Sequence, residues 1–428
     1  MNKYLYPTLL VSLLSVLGIV YNRYETKKQS IPVLKERKQE ISTTSEWLNT
    51  KAAIETLLDK IRRNPNDVKS KLALGMAYIQ ESRVTGDHAY YDEASLQLVE
   101  QVLEKEPANY DAQCLKTTIL LSQHHFADAL KLAQSLATNF PDAAYGYGLL
   151  CDANVELGNY NEAISAADKM NAHRPDLRSY SRISYLREIL GDYTGAKQAM
   201  DMAVQSGVVG LEQTEWCRTQ LGQLYEKTND FAKAETLYQT SLAARPNYAY
   251  ALIGEARIKT HEQKFDEAID LLKAAKQTTQ DFLVNEEMVK TYNLSAIGYQ
   301  QTDVAKSKMA ADNAKTLSEK LIAQLKIHAN SDQSAPDKGH YADKELAYAY
   351  LDINDTDNAL IHATREWNRR PENIDVNECL AWVYFKRGDI TNAKTYIQKA
   401  LRTGSKKDRK STRLNSSHHA ISRMPSSA

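Results

Sequence analysis

The stretch YNEAISAADKMNAHRPD, Tyr160–Asp176, reads as an amphipathic helix stopped by a proline, and none of its residues is chemically reactive. Its skeleton of aromatic, alanine three residues on and a later proline returns along the chain. Anchored on Ala163, the alanines Ala94, Ala129, Ala163, Ala196, Ala234 and Ala268 are spaced 35, 34, 33, 38 and 34, and Ala359 and Ala393 are again 34 apart. Three residues before the first six stand Tyr91, Phe126, Tyr160, Tyr193, Phe231 and Phe265, and Pro107, Pro141, Pro175, Pro246 and Pro371 follow twelve or thirteen residues after an alanine.

An independent check lies twelve residues before each alanine, where Thr117, Cys151, Ser184, Gly222, Ala256, Ala347 and Ala381 are all small, with Gly75 as the counterpart before a longer turn. Two small positions on successive helices allow close crossing, where a leucine would overpack. The aromatic fills the wedge beside the crossing. GN, GD and ND dipeptides before it make the turn. Each hairpin leaves an apolar face that only a like neighbour can cover.

LGNYNEAISAADKMNAHRP, LGQLYEKTNDFAKAETLYQTSLAARP and FDEAIDLLKAA resemble the tetratricopeptide repeat family, with its 34-residue period. The resemblance covers most of 64–407. It implies an all-α fold, an α-solenoid of helical hairpins stacked into a right-handed superhelix. The expected organisation is a transmembrane anchor or signal helix at 1–30, a linker and capping helix at 31–63 and a repeat array at 64–280. An irregular helical region and loop at 281–339, further repeats at 340–407 and a disordered artefact at 408–428 complete it. SRVTGDHA reads as an insertion of about eight residues in the first repeat's turn, measured against the family period.

The ends read differently from the body. Tyr4–Tyr21 carries no charge and ten Leu, Ile or Val residues. As a helix it would reach about 27 Å, close to the hydrocarbon core of a bilayer. A single-pass membrane anchor is expected. A cleaved signal, giving a secreted or periplasmic protein, is the alternative, and the side the body faces stays open because the flanking charges give conflicting signals. From Asp408, DRKSTRLNSSH and RMPSSA resemble the translation of a short-read sequencing adapter, so the tail is set aside and the natural chain is expected to continue past Lys407.

The formal charge of zero conceals a basic N-terminus (+4 over residues 1–40), a basic tail (+3 from Asp408) and a body of −7, which argues against a nucleic-acid partner. Cys114, Cys151, Cys217 and Cys379 lie far apart and read as buried apolar side chains. Phosphate-binding, zincin and nucleophile-elbow motifs are absent from the sequence, so neither enzyme activity nor a cofactor is expected. DINDTDNAL, 352–360, lacks the glycine and glutamate of a calcium loop and reads as an inter-helix turn. His124 and His125 occupy the equivalent turn and are expected to be exposed.

In the tetratricopeptide family the first helix of each pair lines a concave groove that holds a partner's segment. Register places Tyr145, Gly148 and Asp152 there, then Arg178, Ser181, Arg182 and Tyr185, then Trp216, Gln220 and Gln223, then Tyr250 and Arg257. Tyr, Trp and Arg are the types that dominate binding hot spots. Arg178 and Arg182, four apart, share a helix face and could grip a carboxylate, unless neighbouring acids such as Glu188 and Asp152 take them. Cys114, Thr118 and Leu149 stand where the family's chaperone-tail clamp needs Lys and Asn, which excludes that clamp. The expected partners are protein or peptide segments and the membrane; self-association through the array is the rival reading, and an enzyme with a site in the irregular 281–340 region is the remote one.

Overall fold

The computed structural model describes residues 13–16, 31–38, 41, 45–329 and 340–405. Among them, nineteen α-helices run from Ser45 to Ala400. A lead helix, α1 (Ser45–Arg63), precedes nine hairpins: α2 (Val68–Thr85) with α3 (His88–Leu103), α4 (Tyr110–Ser122) with α5 (Phe126–Asn139), and α6 (Ala144–Leu157) with α7 (Tyr160–His173). Next come α8 (Leu177–Ile189) with α9 (Tyr193–Gln205), α10 (Glu212–Glu226) with α11 (Phe231–Ala244), and α12 (Ala249–His261) with α13 (Phe265–Thr278). The last three are α14 (Phe282–Tyr299) with α15 (Val304–Ala329), α16 (Asp343–Asp352) with α17 (Thr356–Arg369), and α18 (Ile374–Lys386) with α19 (Ile390–Ala400). Each helix packs on the next, making an all-α helical-repeat solenoid.

The recurring small residues sit at the crossings. Ser184 Oγ donates to the Ala196 carbonyl at 2.7 Å, and Ser95 Oγ donates to the Gly75 carbonyl at 3.0 Å. A Cβ placed on Gly222 or on Gly254 would stand 2.5 Å from the ring of Tyr238, which is wedged between them. The turns have their own chemistry. Gly86, His124, Gly158, Gly191, Asn229, Gln263, Asn354 and Gly388 occupy the tips of eight hairpins with φ between 59° and 84°. This left-handed conformation favours Gly and Asn. An Asp follows in most of them and caps the second helix, as where Asp192 accepts the Gly195 N–H at 2.8 Å.

The hairpin tips of the first superhelical turn pack on the junctions between hairpins of the second. Thr279 Oγ1 donates to the Thr85 carbonyl, 194 positions away, and the Tyr341 amide donates to the Gln123 carbonyl. Asn373 Nδ2 donates to the Glu156 carbonyl across 217 positions, and a Cβ on Gly191 would stand 2.7 Å from the Gly404 carbonyl oxygen. About six hairpins therefore complete one turn, and successive turns touch.

Several expectations change here. Of the irregular helical region and loop expected at 281–339, residues 281–329 form a seventh hairpin, α14–α15, whose second helix is lengthened to 26 residues. The extra residues SRVTGDHA do not loop out: α2 runs to Thr85, and the tip Thr85–Gly86 reaches the side chain of Thr279 and the backbone of Gln280 and Asp281. His124 and His125 are buried rather than exposed, because their turn is covered by the second superhelical turn, with the His124 and His340 rings 4.2 Å apart. The apolar run Tyr4–Tyr21 apart from residues 13–16, the expected loop over 330–339 and the adapter-like tail from Asp408 lie outside the described residues. No helix among the described residues is long and apolar enough to cross a membrane.

Candidate functional site

The inner helices that the sequence assigns to a groove are largely filled by their own contacts. Arg182 grips Asp152 with both ends of its guanidinium, Nε to Oδ1 at 2.8 Å and Nη2 to Oδ2 at 2.6 Å, and each side chain is at most 3% exposed. Gly148 makes room for this pair, since a Cβ there would stand 3.3 Å from the guanidinium carbon. Burial pushes the Asp152 carboxyl up from its ordinary range, and Arg182 pulls it back. Arg178 instead lies half-buried with its Nε 3.9 Å from Asp176, while Glu188 is taken by Lys227. The expected two-arginine grip on a partner carboxylate is therefore not assembled: Arg182 is spent inside the fold.

The other groove positions divide in the same way. Trp216, Gln223 and Tyr250 are buried, and Tyr250 donates its hydroxyl to Asp281 at 2.6 Å. Arg257 meets Glu287 at 3.2 Å in a pair that is at most 9% exposed. Tyr145 shares a hydrogen bond of 2.9 Å with Thr118. Tyr145, Arg178, Tyr185 and Gln220 keep part of their surface in solvent. No group of three or more His, Cys, Asp or Glu that could hold a metal ion is present among the described residues. All four cysteines are buried and free.

The structure docks an extended segment of the chain at a place expected to be linker. Residues 31–38, IPVLKERK, lie without helix or strand across the first hairpin. Tyr78 donates its hydroxyl to the Pro32 carbonyl at 2.7 Å, Tyr90 to Val33 at 2.6 Å and Tyr91 to Lys35 at 3.3 Å. Ile31 and Leu34 pack on the cluster of Ile54, Leu58, Tyr78 and Tyr91. Lys35 pairs with Asp87 at 2.7 Å. Arg37 enters a buried pocket, with Nε 2.9 Å and Nη2 2.5 Å from the two Glu81 oxygens, Nη1 3.0 Å from Glu46, and its guanidinium 4.9 Å from the centre of the Trp47 ring.

Glu46 also takes Arg245, and Lys38 Nζ donates to the Lys276 and Thr279 carbonyls at the end of α13 at 2.7 and 2.8 Å. An extended segment carries no helical period, which is why repeat-based reading missed it. The available signal was Ile31, Val33 and Leu34 running into three cations beside a hairpin rich in tyrosine.

Tetratricopeptide-repeat family models match residues 118–176, 219–281 and 380–403. The chain carries tetratricopeptide repeats. No curated protein sequence matches it. Among solved structures it is similar to the APC/C hetero-tetramer Cut9-Hcn1, at 13% identity and a TM-score of 0.45, covering 93% of this chain and 62% of the other. A human IFIT1 dimer with PPP-AAAA matches at 14% identity and a TM-score of 0.46, covering 84% of this chain and 79% of the other. A thermophilic tetratricopeptide-repeat protein of Thermus thermophilus matches at 18% identity and a TM-score of 0.38, covering 48% and 98%. The chain thus spans less than two thirds of the Cut9-Hcn1 chain it matches.

Proposed function

We propose that this protein is a tetratricopeptide-repeat adaptor, tethered to a membrane through Tyr4–Tyr21, that binds extended segments of partner proteins without chemical turnover. One observation carries the reading: three tyrosine hydroxyls of the first hairpin address main-chain carbonyls of an extended segment, a mode of grip that does not depend on the segment's side chains. Two partly open inner-face residues provide further contact surface: Tyr185, of a type that serves as an anchor, and Gln220 in the next hairpin. The acidic body favours protein over nucleic-acid partners.

A photoreactive amino acid placed at Tyr185 or Gln220 in cells tests the reading. Cross-linking to a discrete protein in the membrane fraction is the expected outcome. Folded protein that forms no adduct at either position would contradict it.

A further inference from the structure

Glu81 lies on an inner helix with a side chain that is 0% exposed, and among the described residues the cation paired with it is Arg37, which comes from outside the repeat array. A buried carboxylate left without a cation is costly, so the repeats alone make an incomplete site. What completes it must bring a guanidinium: two parallel hydrogen bonds to both carboxylate oxygens, with a face over Trp47, fit arginine and not lysine. Elsewhere the segment is read less closely by side chain. Val33 is 60% exposed and the Lys35 side chain 47% exposed. The tyrosines bind carbonyls that any sequence would offer.

We infer that Glu81, Glu46 and Trp47 form an arginine socket, and that residues 31–38 are its ligand in cis. In trans the socket takes an extended segment of a partner protein with an apolar residue three positions before an arginine, matching Leu34 and Arg37. This deepens the adaptor reading and rests on it. Because Glu81 is disfavoured without a cation, the cis and trans ligands exclude each other, and binding is an exchange with no populated empty state.

The test uses the full chain in detergent and a fluorescein-labelled synthetic peptide, SIPVLKERKQE, followed by anisotropy. The R37A chain should bind this probe at least tenfold more tightly than wild type, whose socket is filled. A probe with lysine in place of its arginine should bind at least tenfold more weakly, and Glu81→Gln in the R37A chain should weaken binding to the same degree.

If R37A does not fold, a protease site inserted after Gln39 of the otherwise native chain replaces it. After cutting, the arginine probe should exchange in and the lysine probe should not. Equal binding by wild type and R37A, indifference to lysine, or no binding by folded cut chain would each overturn the inference. So would a wild-type dimer whose arms are cross-linked between copies, which would make a second copy the occupant. Failure here with adducts retained at Tyr185 or Gln220 would leave the adaptor reading standing.

Discussion

Arg370, just past the end of α17, holds its guanidinium against the Glu156 carboxylate of α6, 214 positions earlier in the chain, and both side chains are at most 1% exposed. The same guanidinium reaches Glu366. One residue thus neutralises two buried acids and ties the second superhelical turn to the first. Replacing Arg370 by Ala takes this guanidinium from Glu156 in the interior, while Glu366 keeps Arg369, and should cost about 3–5 kcal/mol, as removal of one partner from a buried pair does. Urea unfolding checks it, and a loss under about 1 kcal/mol, the range of exposed pairs, would refute the assignment.

Two arginines one helical turn apart have opposite fates. Arg182 is buried in its bidentate pair with Asp152, whereas Arg178 is half-buried with only a long contact to Asp176. Arg182→Ala should therefore destabilise by about 3–5 kcal/mol, and Arg178→Ala by no more than about 1 kcal/mol. Comparable losses would mean that the two sites are not distinguished as the geometry requires.

The contrast shows what the sequence could convey. The hairpins, their small crossing residues and the GN, GD and ND turns were legible because each is a local requirement repeated many times, as with Ala163 and Gly158. The contact between superhelical turns was not, since it joins residues about six repeats apart whose identities follow no period. His124 shows this plainly: no repeated residue marks its turn as covered, and it is buried where His340 and Tyr341 arrive from the next turn. The filling of several groove positions has a different origin: Arg182 meets Asp152 and Tyr250 meets Asp281 from neighbouring hairpins, 30 and 31 positions apart, in pairings that no repeated residue announces.

His124 also makes a pH prediction. Burial lowers its pKa well below the usual value, helped by His340, Arg370 and Lys344, while its hydrogen bond to the Tyr341 carbonyl works in the opposite direction. The unfolded chain takes up the proton near pH 6.5 and the folded chain only at much lower pH, so unfolding binds a proton in between. Stability should fall as pH drops below about 6.5, by up to about 1.4 kcal/mol per pH unit from this group. His124→Asn tolerates the left-handed backbone and keeps a donor for Tyr341, so its stability should decline less steeply. Parallel pH profiles for the two proteins would rule the assignment out.

Tyr238 fills the wedge between two inner helices because both neighbours are glycine. Gly222→Ala puts a methyl 2.5 Å from its ring, so overpacking should cost about 1–3 kcal/mol. Tyr238→Leu removes the clashing ring, and Gly222→Ala should then cost clearly less in that background. A double-mutant cycle measures the coupling, and simple additivity would mean that the ring is not what excludes the methyl.

Gly158 and Gly388 share a turn position and nearly the same backbone, with φ of 84° and 78°. Alanine at either must adopt a left-handed conformation, at a cost of about 1–2 kcal/mol. At Gly388 nothing lies within 4 Å of the added Cβ, so that strain is the whole effect. At Gly158 the Cβ would meet the Glu372 carbonyl oxygen at 2.2 Å, and backbone on both sides leaves no flexible side chain to yield. Gly158→Ala should therefore destabilise more than Gly388→Ala and also prise the turns apart, loosening the bond from Arg402 Nη2 to the Gly158 carbonyl, now 3.0 Å. Small-angle X-ray scattering should show a larger radius of gyration for Gly158→Ala alone. If the two variants scatter and unfold alike, the tip of the third hairpin does not support the next turn of the solenoid.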